Sequence, residues 1–178
     1  SFDTNEYVVM ATHNGIVKKT ALAEFGNPRS SGIIAISVPE DDELIGCQLT
    51  DGNYDVLLAT RMGKAIRFSE KGVREMGRAA RGVIGIRMAG EDRVVAMSAF
   101  KGPGQFLTVT ENGFGKRTDV EEYPCQGRGG SGVINIKVGQ KNGAVVNTCH
   151  VQEDTSVMLI TAQGKLIQLH TEDIRNTQ

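Results

Sequence analysis

Residues 127–138 read GRGGSGVINIKV, and residues 77–88 read GRAARGVIGIRM. An arginine, a glycine, a Val-Ile pair and a further isoleucine keep the same places in both, fifty positions apart. Self-similarity at a fixed period marks a repeat architecture, because a unit this small buries its apolar face only against a neighbour. A third copy, SGIIAISV at 31–38, sets Gly32, Gly82 and Gly132 at intervals of 50.

Working outward, each copy is preceded by a glycine that follows a short apolar run: VVMATHNGIVKKT, VLLATRMGKAIRF, FLTVTENGFGKRT and VMLITAQGKLIQL. Their glycines, Gly15, Gly63, Gly113 and Gly164, lie 48, 50 and 51 residues apart. After the third run come a polar or acidic turn and a fourth apolar run: LIGCQL, VVAMSA and AVVNTC. Four short Val/Ile/Leu/Thr-rich runs per unit, divided by Gly, Asn, Asp or Pro, predict four consecutive antiparallel strands. The HNG, RMG, ENG and AQG turns predict hairpins, since glycine takes positive φ without steric cost. In the third run Ile34, Ile36 and Val38, then Ile84, Ile86 and Met88, then Ile134, Ile136 and Val138 alternate with smaller or polar residues. That alternation predicts one buried face. Helical periodicity is hard to find anywhere.

One four-stranded sheet is marginal and exposes its edges, so units of this size stack or radiate. The expected fold is all-β, a propeller-like array of four-stranded antiparallel blades of about fifty residues each. The chain holds three full repeats and half a fourth, at about 8–55, 56–105, 106–156 and 157–178. An incomplete ring and a fragment of a longer protein are therefore expected, given a start almost directly in a strand and an end at RNTQ.

With 178 residues and 39% hydrophobic content, the chain buries its apolar surface in one core or in a few packed modules. Three cysteines, Cys47, Cys125 and Cys149, without CxxC spacing predict reduced thiols in a cytosolic protein. No apolar run is long enough to span a bilayer, and no membrane partner is expected. A net charge of −1 argues against a generic polyanion binder, but the charge is segregated. Residues 39–60 carry six acidic groups and no Lys or Arg; residues 61–90 carry eight cations against Glu70 and Glu75.

Four positions beyond the hairpin glycines stand Lys19, Arg67, Arg117 and Gln168, with Lys18 and Lys116 one place earlier. Lys64 follows the second hairpin glycine, and Arg29, then Arg78 with Arg81, then Arg128 precede the third runs. Recurrence at a fixed phase predicts a basic stripe along one edge of successive units, the footprint of a phosphate backbone. For any single cation, solubility and protection of strand edges is the plainer account. The phase coherence of the set favours nucleic acid, with the acidic 39–60 stretch expected at a different edge. The GRGGSG stretch frees backbone amides to approach phosphates, or is simply a tight turn. The aromatic residues read as core and the three histidines as surface residues. Nothing has the spacing of a metal site, a nucleophile elbow or a P-loop, so no catalytic residue and no cofactor is assigned.

YVVMATHNGIVKKTALAEF, GVREMGRAARGVIGIRM and ENGFGKRTDVEEY resemble the blade motifs of the C-terminal domain of the DNA gyrase A subunit, and the similarity runs over essentially the whole chain. The resemblance implies a β-pinwheel whose blades exchange strands and whose basic rim bends duplex DNA, assisting negative supercoiling in a bacterial, cytoplasmic and nucleoid-associated enzyme. It implies the rest of the gyrase A subunit and the gyrase B subunit as partners. Cleavage, and the binding of ATP and Mg, fall to other domains of an ATP-dependent type II topoisomerase, so this part alone is not expected to be an enzyme. The family's gyrase box, Q-R-R-G-G-K-G, belongs to the first blade. Here QGRGGSG keeps Gln126, Arg128, Gly129, Gly130 and Gly132 but has Gly127 and Ser131 in place of cations, and it lies in the third unit. It reads as a degenerate echo, which predicts weaker wrapping. The related domain of topoisomerase IV, which normally lacks an intact box, and a protein-binding propeller of the WD-repeat type are the alternatives. Against the latter, the chain has no tryptophan.

Overall fold

The computed structural model describes residues 4–177. In the first unit β1 (Tyr7–Thr12) and β2 (Ile16–Ala21) form a hairpin, a 3-10 turn spans Leu22–Phe25, and β3 (Leu44–Thr50) returns to pair with β1. The second unit holds β4 (Asp55–Thr60), β5 (Lys64–Ser69), a 3-10 turn at Glu70–Gly72, β6 (Val83–Ile84) and β7 (Val94–Phe100). The third holds β8 (Gln105–Thr110), β9 (Gly115–Asp119), a 3-10 turn at Val120–Glu122, β10 (Val133–Ile134) and β11 (Val145–Val151). The fourth holds β12 (Ser156–Ile160), β13 (Leu166–His170) and a 3-10 turn at Thr171–Asp173.

Every hairpin is built alike. The glycine N–H donates to the carbonyl of Thr12, Thr60, Thr110 or Thr161 at 2.9–3.0 Å. The glycine φ lies between +78° and +83°, a conformation that strains any residue bearing a β-carbon. The fold is all-β and antiparallel in every strand pair, as the punctuation of the sequence predicts.

The third runs depart from the four consecutive strands that periodicity predicts and follow the strand exchange that the family resemblance implies. They leave their own sheet and pair with the second strand of the preceding unit: Val83 opposite Val17, and Val133 opposite Ala65. The sheet orders are β3-β1-β2-β6 and β10-β5-β4-β7, so consecutive units exchange a strand. The pairing lasts only two residues because the chain then turns under the hairpin. The N–H groups of Gly85 and Ile86 both donate to the Gly15 carbonyl, and those of Asn135 and Ile136 to the Gly63 carbonyl. Alternation therefore fails to give one buried face. Ile84 and Ile134 are 42% and 67% exposed, whereas Ile86, two positions past Ile84, is 2% exposed. Residues 31–38 form no strand at all.

The core lies between the sheets. Val56 and Leu58 on β4 join Val9, Ala11 and Val17 of the first unit; Leu57 and Ala59 on the other face join Phe106, Val120 and Tyr123 of the third. Burial on both faces explains why β4 reads as a continuous apolar run rather than an alternating one. The fourth strand of each unit lies innermost, since β7 packs against both β3 and β11. The exchanged third runs, and the loops that lead to them, lie on the outside of the sheet order.

Candidate nucleic-acid interface

Neighbouring residues of a strand point to opposite faces, so the Lys18–Lys19 and Lys116–Arg117 pairs send one cation each way. Lys18 is fully buried, and its ammonium donates to the carbonyls of Ala35, at 2.7 Å, and Arg78. Burial, with the Arg78 charge second, holds this amine below the ordinary lysine range. Lys116 is half-buried, reaches the Thr177 carbonyl at 3.5 Å, and is lowered by burial too. The second unit has Ile66 at this position, packed in the core.

The other members converge on one feature of the next unit, its 3-10 turn. Lys19 donates to the Glu70 carbonyl at 3.1 Å and lies 5.0 Å above the Tyr7 ring. Arg67 donates to the carbonyls of Val120 and Tyr123 at 3.0 and 3.3 Å while its guanidinium pairs with Asp55 at 2.7 Å. Arg117 donates to the carbonyls of Ile174 and Glu172 at 2.8 and 3.3 Å and to the Gln105 side-chain oxygen at 2.7 Å. Backbone bridges run beside each contact, Lys19 with Glu75, Arg67 with Cys125 and Arg117 with Asn176. The expected stripe of free charges along the second strands is thereby corrected. Lys18, Lys19, Arg67 and Arg117 are latches between units, because a short 3-10 turn leaves carbonyls that only a neighbouring donor satisfies.

The outer loops are different. Arg29, Arg81 and Arg128 are exposed there, as is Lys64 at the start of β5, while Arg78 is half-buried with its Nε enclosed and without a hydrogen-bond partner. Arg128 spends two donors on the preceding unit, Nε to the Gly72 carbonyl at 2.8 Å and one terminal nitrogen to the Ile84 carbonyl at 3.2 Å. Around it, the Gly129 N–H donates to the Gly85 carbonyl and the Gly130 carbonyl accepts from Arg87. Gln126 donates its N–H to the Arg67 carbonyl. A β-carbon at Gly132 would stand 2.3 Å from the Ala65 carbonyl oxygen. The loops of the second and third units are thus seated on the unit before them. Between the loops of the first and second units lies a cleft of about 930 Å³ lined by Arg29, Ser31, Gly77 and Arg78 among others.

Two exposed cations not singled out in the sequence lie on the same outer segments. Arg87 and Lys137 stand five positions beyond Gly82 and Gly132, where the first unit has Ser37. The fifty-residue phase was the signal for them. The acidic 39–60 stretch does not gather at one edge: Asp42 and Glu43 meet the first hairpin turn at Asn14 and His13, whereas Asp51 and Asp55 lie at the far strand ends. His150 is no surface residue either. Its ring is stacked 5.2 Å from Phe100 and set edgewise 5.4 Å from Phe106, and burial lowers its pKa. Among the described residues no three His, Cys, Asp or Glu are grouped to hold a metal, and no helix is long and apolar enough to cross a membrane.

A family model described as DNA gyrase C-terminal domain, beta-propeller, matches residues 6–51, 54–101, 104–148 and 155–178. The DNA gyrase A subunit of Salmonella typhimurium is 50% identical over 175 residues, which cover 96% of this chain and 20% of that protein. That of Escherichia coli is 45% identical over 181 residues, covering 99% of this chain and 21% of that protein. The chain spans about a fifth of the length of these curated relatives. Among solved structures, the C-terminal domain of DNA topoisomerase IV superposes with a TM-score of 0.94 at 27% identity, covering 99% of this chain and 56% of that one. The DNA gyrase A C-terminal domain superposes at 0.90 and 24% identity, a likeness of fold, covering 99% and 59%.

Proposed function

The chain belongs to the DNA gyrase C-terminal domain family of β-propeller type, and from that premise we propose that it is a module that binds and wraps duplex DNA without sequence preference, in the service of supercoiling. The observation that carries this reading is the set of exposed cations on the outer segments of successive units, Arg29, Arg81, Arg87, Arg128 and Lys137, of which Arg87 and Lys137 share one position of the repeat. Lys64 beside the second hairpin turn, and Arg78 where its guanidinium borders the outer cleft, complete the set. The repeating units that supply them span about 8–55, 56–105, 106–156 and 157–178.

A stiff duplex costs on the order of 1–6 kcal/mol to bend over a short site, so many weak contacts along a curve must act together. Rigid loops serve this better than mobile tails. The loops of the second and third units are fixed by backbone bonds to the preceding unit, so their cations are presented at a set distance from one another. The partners of such a module are duplex DNA and the remainder of a gyrase-type enzyme, within which cleavage and ATP turnover belong to other domains. The loop at 126–132 has Gly127 and Ser131 where the gyrase box has cations, so wrapping by this part alone is weak.

The test is affinity for a random duplex measured by fluorescence anisotropy across a salt series. Binding falls steeply with salt, with a log–log slope of about −0.9 per phosphate neutralised. A chain that shows no salt-dependent binding to duplex overturns the proposal. Addition of the chain to relaxed circles with a nicking-closing enzyme then reads wrapping as a shift in linking number, expected to be small.

A further inference from the structure

Two clefts occupy equivalent places in the first and second units, where the hairpin turn, the third run and the turn before the fourth strand meet. That of the first unit has a volume of about 330 Å³ and that of the second about 450 Å³. Their bases are built alike. The hydroxyl of Thr12 or Thr60 accepts from the N–H of Ile16 or Lys64 at 3.3 and 3.1 Å. The buried carboxylate of Asp42 accepts from the N–H groups of Asn14 and Glu43 at 2.8 Å each, and that of Asp92 from Met62 and Arg93 at 2.9 and 2.8 Å. Two backbone donors thus already hold one oxygen, Oδ1, of each carboxylate.

The lips differ. At three matched positions the first cleft has Ile16, Ser37 and Pro39 and the second has Lys64, Arg87 and Ala89; the first is also lined by Asp41 and by Arg81, which stands where the second has Ser131. Lys64 and Arg87 are exposed, and neither belongs to an ion pair among the described residues. The third wall of the second cleft is Ser131, an exposed hydroxyl from the loop of the next unit, and its floor includes Ile86 and Met88. Two cations and a hydroxyl beside the partly exposed Met88 match one sugar–phosphate step, with the anion between the charges and the deoxyribose carbons on the methionine.

We propose that the second cleft, with two cations and no exposed carboxylate in its lining, seats a backbone phosphate and its sugar and anchors the duplex at the junction of the second and third units, whereas the first cleft, where Asp41 offsets the single cation Arg81, is the weaker seat. This deepens the DNA-binding reading and rests on it. The wrap is therefore unequal along the chain. Lys137 and Lys141 continue the positive charge on the third unit, while Glu40, Asp41 and Glu43 border the first.

The experiment is the salt series on random duplex for the whole chain, for Lys64→Gln/Arg87→Gln, for Ile16→Lys/Ser37→Arg, and for Lys71→Gln in the 3-10 turn that follows β5. The double loss is expected to weaken binding at least about fivefold at low salt and to flatten the slope by about 0.9, one phosphate's worth. Lys71→Gln leaves the slope unchanged, and the transplanted pair steepens it. Wild-type binding with an unaltered slope in Lys64→Gln/Arg87→Gln overturns the anchor and leaves the DNA-binding reading standing. Absence of salt-dependent binding by the wild type removes that reading, and the anchor with it.

Discussion

Arg67 shows how one residue type carries two meanings that position in the sequence does not separate. Its guanidinium is held by Asp55 and by two carbonyls of the next unit, with 20% of the side chain exposed. Arg67→Ala strips a largely desolvated carboxylate and two carbonyls of their donor. The expected loss is about 1–3 kcal/mol of stability, discounted for the partial exposure, read as a lower urea midpoint at unchanged m-value. The salt slope for duplex binding should not move, since the charge was already engaged; a flatter slope would return Arg67 to the interface. Tyr123 supplies a pH-dependent prediction. Burial pushes its phenol up to about 12, and its hydroxyl donates to Asn135 at 2.7 Å. An unfolded tyrosine titrates near 10, so the native state keeps a proton that the unfolded chain loses. The stabilisation is intact below pH 10 and is lost as the pH climbs toward 12, by about 2–3 kcal/mol in all. Tyr123→Phe should unfold more easily at pH 8 yet lose less between pH 10 and 12 than the wild type in parallel urea titrations.

The exchanged strand is the element that decides the architecture, and its glycine tests it. Gly132 has φ +69° and lies hard against the Ala65 carbonyl of the preceding unit, whereas Gly32, its counterpart in the first unit, has φ +79° and nothing within 4 Å of where a β-carbon would stand. Gly32→Ala should cost about 1 kcal/mol, the strain of positive φ alone. Gly132→Ala adds a backbone collision that only displacement of β10 from β5 relieves, and should cost more than about 3 kcal/mol. Equal melting temperatures for the two variants would show that the exchanged pairing contributes nothing to the junction. The same element shows where periodicity misleads. Ile84 and Ile86 alternate like one face of a strand, but the chain leaves the ladder after Ile84 to meet the Gly15 carbonyl, so one isoleucine faces solvent and the other the core.

At the scale of the molecule, the cations divide by radial layer. Those in the middle of the second strands stitch one unit to the next; those on the outer loops, with Lys64 at the start of β5, are exposed to meet a polyanion. Arg81→Ala and Arg128→Ala should each lower the salt slope by about 0.9 with little sequence dependence, and the double variant by about twice that. Arg128→Ala should also lower stability slightly, by about 0.5–1.5 kcal/mol, because it gives up donors to the Gly72 and Ile84 carbonyls. Arg81 carries no such duty among the described residues, so for it binding and stability should separate cleanly in paired anisotropy and urea measurements.

The sequence by itself determined the period, the strand-and-hairpin composition of each unit and the family, because turn glycines at positive φ and β-branched apolar runs are local requirements that leave local marks. It also set the phase at which cations recur. Which of those cations are free was decided only by the tertiary structure. Partners such as the carbonyls of Val120 and Tyr123 lie more than fifty residues from Arg67 and come within reach only when one sheet packs on the next. The same holds for the third runs: a Val-Ile pair has the propensity to form a strand, but the edge it joins belongs to the unit before it, and pairing choice is a matter of space, not of spacing.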